Sequence, residues 1–113
     1  MGNIDISLLI TADAKKAEAQ AALQGTFEIE VQKHLDKAAK GRGYDNIMTA
    51  VSYADEPAVA RFQKDGQAFR AWRSKVWDYA YEQLAAVEAG TRTVPSPDEF
   101  LAELPGPEFA AAG

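Results

Sequence analysis

Apolar and polar residues alternate through the first ten positions. Ile4, Ile6, Leu8 and Ile10 fall on one side, with Asp5, Ser7 and Leu9 opposite, which is the period-two pattern of a half-buried strand. The segment has no obvious hairpin mate, so residues 1–11 are expected to form an extended N-terminal arm. Such an arm either packs on its own domain or adds to a sheet edge of another chain. Ile4, Ile6, Leu8 and Ile10 are therefore candidate interface residues.

From residue 12 the period lengthens. Thr11 and Asp13 are candidate caps for the alanine-rich run Ala12 to Leu23, which contains helix formers but few large apolar side chains. Gly25 and Thr26 then interrupt. Phe27, Val31 and Leu35 recur every four residues as on a helix, although Phe27, Ile29 and Val31 also alternate and leave a short strand open. Gly41 and Gly43 stop this element. Asp45 is positioned to cap a short helix within Tyr44 to Ala54, which Pro57 closes by disfavouring the helical region at Glu56.

The strongest pattern runs from Ala58 to Ala89. Phe62, Phe69, Trp72, Val76, Ala80, Leu84 and Val87 are separated by sevens, threes and fours and form one helical stripe. Gly66 costs about 1 kcal/mol relative to alanine inside a helix, so the stretch is read as one helix or as two meeting near Asp65. The core candidates are Phe62, Phe69, Trp72, Val76, Leu84 and Val87. Gly90 ends the element, Thr91 to Pro97 connects, and Ser96 with Pro97 opens a short helix through Leu101. Residues 105–113, which begin Pro-Gly-Pro, are expected to be a flexible tail. The predicted fold is thus all-α: a small helical domain over 12–104 with a long aromatic-rich central helix and an extended N-terminal arm.

Composition narrows the partners. Seventeen acidic against twelve basic residues give a net charge of −5, the wrong sign for a domain that neutralises phosphates, so no nucleic acid is expected. The absence of cysteine excludes a disulfide framework and a thiolate metal site. No stretch approaches the ~18 apolar residues of a membrane span, and Met1 to Ile10 lacks a basic n-region, so no membrane association is expected.

Catalytic constellations are equally scarce. His34 lies among Lys33, Asp36 and Lys37 and reads as a surface residue. Glu28 with Glu30, Asp55 with Glu56 and Asp98 with Glu99 have no spacing that dictates a paired-carboxylate site. The glycines fit no phosphate-cradling loop, and the serines lack a nucleophile-elbow context. The reading is a non-enzymatic chain with no catalytic residues, cofactor, metal or small-molecule substrate.

Aromatic density is the feature left over. Phe69, Trp72, Trp77, Tyr79 and Tyr81 lie within thirteen residues and, at 100° per residue, cannot share one face. Trp77 and Tyr81 form an i, i+4 pair offset from the main stripe. They are read either as packed by neighbouring elements or as a second aromatic face for a partner, and so join the interface candidates. Arg70 and Arg73 flank Trp72 and are read as structural.

The runs Gly43-Tyr44-Asp45-Asn46-Ile47, Ala50-Val51-Ser52-Tyr53-Ala54 and Asp65-Gly66-Gln67-Ala68-Phe69, then Trp72-Arg73 and Val76-Trp77, resemble small proteins of tailed bacteriophages and prophages encoded beside tail-fibre genes. Ile4-Asp5 with Leu9 to Ala12, Val87 to Gly90, Pro95 and Leu101 to Pro105 follow the same pattern. The chain is also distantly similar to the C-terminal part of tail-fibre assembly chaperones, in its Trp-Arg helix, connector and proline-rich end.

This resemblance implies a phage tail or tail-fibre protein as partner, itself oligomeric, bound by the arm and the aromatic helix. It places the chain in the host cytoplasm during assembly and, if structural, in the virion tail. A transient assembly chaperone and a host-directed inhibitor or regulator are the alternatives.

Overall fold

A computed structural model describes residues 6–109 of the chain, with side chains described over 14–109. It contains four helices: α1 (Ile6–Gly41), α2 (Ile47–Ser52), α3 (Ala60–Glu88) and α4 (Pro97–Glu103). The all-α expectation holds among the described residues. α1 and α3 run antiparallel. Tyr44, just beyond α1, meets Asp65 near the start of α3, while Leu23 and Phe27 share a groove with Leu84 and Val87 at its far end.

The N-terminal segment departs from its alternating pattern. From Ile6 the backbone is helical and not extended. The interface candidates Ile6, Leu8 and Ile10 therefore belong to a helix and not to an extended arm. Ile4 and the side chains of the other three lie outside the described residues. Helix propensity explains the outcome: from Ile6 to Gln24 there is neither glycine nor proline, and alanine, leucine and lysine dominate.

The helix also continues through Gly25 and Thr26, so Phe27 to Val31 is not a strand. One glycine costs about 1 kcal/mol, which the favourable residues around it offset. Thr26 Oγ1 donates back to the Ala22 carbonyl at 3.0 Å.

Gly43, at φ +97°, provides the left-handed residue that ends α1, with its N–H on the Lys40 carbonyl. α2 is capped by Asn46 and not Asp45: Asn46 Oδ1 accepts from the Thr49 N–H at 2.8 Å. The Ile47 N–H donates to Asp36 Oδ1 at 3.0 Å and ties α2 to α1. Ser96 caps α4 by accepting from the Glu99 N–H, and Pro97 occupies the first turn as expected.

α3 is one helix, and Gly66 has a packing role. A Cβ there would sit 2.5 Å from the Ala54 backbone nitrogen and 2.8 Å from the Ala50 carbonyl oxygen. Only glycine lets α2 lie this close across α3. The core consists of Val31, Leu35 and Ala39 from α1, Ile47 and Ala50 from α2, Phe69, Trp72 and Val76 from α3, Phe100 from α4, and Tyr44.

Phe69, Trp72 and Val76 are buried, as their stripe predicts. Phe62 packs half-buried against this cluster. Leu84 and Val87 are also only half-buried and line a groove instead of joining the core. The reason is geometric. At that end α3 is met by α1 and by the connector and α4 at Val94, Pro95 and Phe100, which leave the groove between them open on one side.

Residues 105–109, part of the segment expected to be a flexible tail, lie against the body. Trp72 Nε1–H donates to the Pro105 carbonyl. The Phe109 and Phe69 rings meet edge to face with centroids 5.0 Å apart, and the Arg42 guanidinium lies 3.8 Å from the Phe109 centroid.

Candidate protein-binding surface

Two polar clusters hold the ends of the helical layer together. Near the α1–α2 turn, the Tyr44 hydroxyl donates to Asp65 Oδ2 at 2.9 Å and Arg42 Nη2 lies 3.0 Å from Asp65 Oδ1. Asp65 is 8% exposed, so both oxygens of a buried carboxylate are satisfied. Burial, then the hydrogen bond to Asp65, pushes the Tyr44 phenol up to about 12.

At the other end, Glu103 accepts from Tyr79 Oη at 2.6 Å and pairs with Arg92, which also reaches Gln83. The Arg92 and Tyr79 hydrogen bonds lower the Glu103 carboxyl below its ordinary range. Each group in these clusters is matched by a fixed partner. The arrangement cross-links helices and leaves no free nucleophile or base among them.

His34 is half-buried, 5.8 Å from Trp72 ring to ring, and not on the open surface where its charged neighbours suggested. Burial, helped by Lys37, lowers its pKa. No buried side-chain nitrogen or oxygen among the described residues lacks a hydrogen-bond partner. Nor is any helix among them long and apolar enough to cross a membrane.

The apolar surface is concentrated where α1 and the second half of α3 pair. Leu23, Phe27 and Val31 from α1, Trp77, Ala80, Leu84 and Val87 from α3, and Val94, Pro95 and Phe100 beyond it line a groove whose walls are almost wholly apolar. Its enclosed space is about 40 Å³, room for little more than one water, and the remainder is open. Val94 is 53% exposed at its rim.

Trp77 and Tyr81 are stacked, 5.9 Å between ring centroids with 30° between planes. They also border a broader depression floored by Glu28, Ile29, Gln32 and Lys33. Ile29 and Tyr81 remain 57% and 55% exposed.

The structure therefore brings Trp77 and Tyr81 together as the sequence suggested, at the junction of groove and depression. Ile6, Leu8 and Ile10, the other interface candidates, precede Leu23 on α1 by more than three turns of helix, and their side chains lie outside the described residues. Leu23, Phe27, Ile29, Val94 and Phe100 were not singled out as surface lining. For Ile29 a signal existed in its position two residues from the Phe27–Val31 stripe. Val94 lies in an aperiodic connector that carries none.

No family model, curated protein or solved structure matches the chain.

Proposed function

We propose that the chain is a non-enzymatic bacteriophage tail-associated protein that binds a larger tail or tail-fibre protein through the groove between α1 and α3. The observation that carries the binding role is the uncovered apolar groove, bordered by the Trp77–Tyr81 stack and ending at Val94. Aromatic and aliphatic residues in a concave, partly desolvated setting are where binding energy concentrates in protein interfaces. The phage setting rests on the resemblance carried by the Gly43–Ala54 and Asp65–Trp77 runs.

Strand addition by the N-terminal segment has no place in this reading, because a helical backbone from Ile6 offers no ladder of free N–H and C=O groups. The net charge of −5 disfavours nucleic acid as the partner.

The test is a photocrosslinking residue at Val94 during infection, combined with quantitative mass spectrometry of purified particles. A crosslink to a tail or fibre protein, with this chain present at a fixed ratio to it, is expected. A crosslink to the same protein in cells, with the chain absent from particles, converts the reading to a transient assembly chaperone. A crosslink only to a bacterial protein overturns the tail assignment.

A further inference from the structure

α1 is about 54 Å long, and its early part runs past the body. From Ala14 to Ala22 every side chain is exposed except the half-exposed Gln20. On its outward face, Lys15, Glu18, Ala22, Gly25, Ile29, Gln32 and Asp36 recur at alternating intervals of three and four, which is a heptad seam. None of the seven is fully buried. The core residues Val31, Leu35 and Ala39 belong to a different face.

Gly25 stands at the middle of this seam. Unlike Gly66, it has nothing within 4 Å of where its Cβ would be. A mid-helix glycine that costs about 1 kcal/mol and relieves no contact within the chain fits a place where another backbone approaches.

The seam is complementary to itself when reversed. Centred on Gly25, an antiparallel copy sets Ala22 against Ile29, Glu18 against Gln32 and Lys33, and Lys15 against Asp36. Each opposition occurs twice by symmetry. Small residues meet the 57% exposed Ile29, Glu18 meets Lys33, which in its own chain lies 3.7 Å from Glu30, and Lys15 meets Asp36, whose Oδ1 also accepts the Ile47 N–H. A parallel copy would instead place like on like, Lys15 on Lys15 and Asp36 on Asp36.

The depression beside the seam supplies the bed. Ile29, Trp77 and Tyr81 line it, and a second copy's Ala17, Ala21 and Ala22 would lie over them. The overlap from 15 to 36 is about 33 Å of helix, a length suited to burying the roughly 800 Å² per partner of a specific interface once the α3 aromatics are included.

We propose that the chain forms an antiparallel, two-fold symmetric dimer in which the overhanging part of α1 in each copy packs along the Gly25 seam and over the Trp77–Tyr81 depression of the other. Trp77 and Tyr81 border both this depression and the groove between α1 and α3, so the dimer is tested on the purified chain, where no tail protein competes for them, and its failure is read apart from that of the crosslinking test.

Sedimentation from micromolar to millimolar protein tests it. The mass is expected to rise from 12.2 kDa towards twice that value. Gly25→Leu, whose side chain meets open space within its own chain, is expected to keep the helical circular-dichroism signal and weaken association at least tenfold. Glu18→Lys is expected to weaken association, and adding Lys33→Glu to recover it by swapping both members of the pair. A chain that stays at 12.2 kDa throughout overturns the proposal. So does a dimer indifferent to Gly25→Leu, or a double variant that associates no better than Glu18→Lys alone.

Discussion

Tyr44 and Asp65 are joined by a 2.9 Å hydrogen bond that spans the turn after α1 and the first third of α3, and Arg42 completes the carboxylate's partners. The bond keeps a phenol protonated beside an anion in a buried setting. That pairing links the α1 terminus to α3 without leaving either group unsatisfied.

Asp65→Asn is expected to destabilise the domain by about 1.5–3 kcal/mol, the range for hydrogen bonds to charged groups. It should also lower the Tyr44 pKa from about 12 towards the ordinary value near 10. In the wild type the raised phenol contributes stability that is whole below about pH 10 and is lost as pH rises through the folded value. Phenolate absorbance during alkaline titration, with urea denaturation of both proteins, checks both outcomes.

Trp72→Ala should cost about 3–5 kcal/mol, as truncation of a buried aromatic does. Trp72 is 2% exposed, touches Phe69 and His34, and donates to the Pro105 carbonyl. Trp72→Phe separates the terms, since it retains an aromatic ring but loses the indole N–H. Denaturant melts of the two variants are expected to fall in the order wild type, Phe, Ala.

Gly66→Ala is expected to destabilise by about 3 kcal/mol or slightly more, at or above the upper end for overpacking, because the new methyl meets backbone atoms that cannot rotate away. A melting temperature within a degree or two of wild type would contradict the close approach of α2 to α3.

His34 predicts an acid-sensitive window. Because burial lowers its pKa, the folded chain holds fewer protons there than the unfolded chain. Stability should therefore fall as pH drops through about 6.5, and the loss should level off once His34 is protonated in the folded state. His34→Gln should flatten this part of the profile, as followed by urea midpoints between roughly pH 7.5 and 5.5.

The legible part of the fold was its long-period pattern. Phe69, Trp72 and Val76 are buried because a helical stripe with large side chains can find one core, and Ser96, Pro97 and Gly90 punctuate the chain as their chemistry dictates. The alternation misled from Ile6 onward because apolar residues two apart do not forbid a helix, and propensity decides between the two. Gly66 was illegible for another reason. Its meaning depends on Ala50 and Ala54, brought against it by a turn that no local pattern describes.

The surface was half legible. Trp77 and Tyr81 announced themselves by an i, i+4 spacing off the main stripe. Their surroundings, Val94 and Ile29 above all, arise from how the connector after α3 folds back beside α1 and α3, which no local pattern encodes.

The way the last described residues close over Trp72 and Phe69 bears on the order of events during synthesis. Phe100, Pro105 and Phe109 emerge from the ribosome after α1, α2 and α3, so the nascent chain displays an indole N–H without its acceptor and a phenylalanine face without its cover. The packing around Trp72 and Phe69 is complete only once these residues have arrived. Until then the growing chain carries an uncovered aromatic patch, the kind of surface to which other chains adhere.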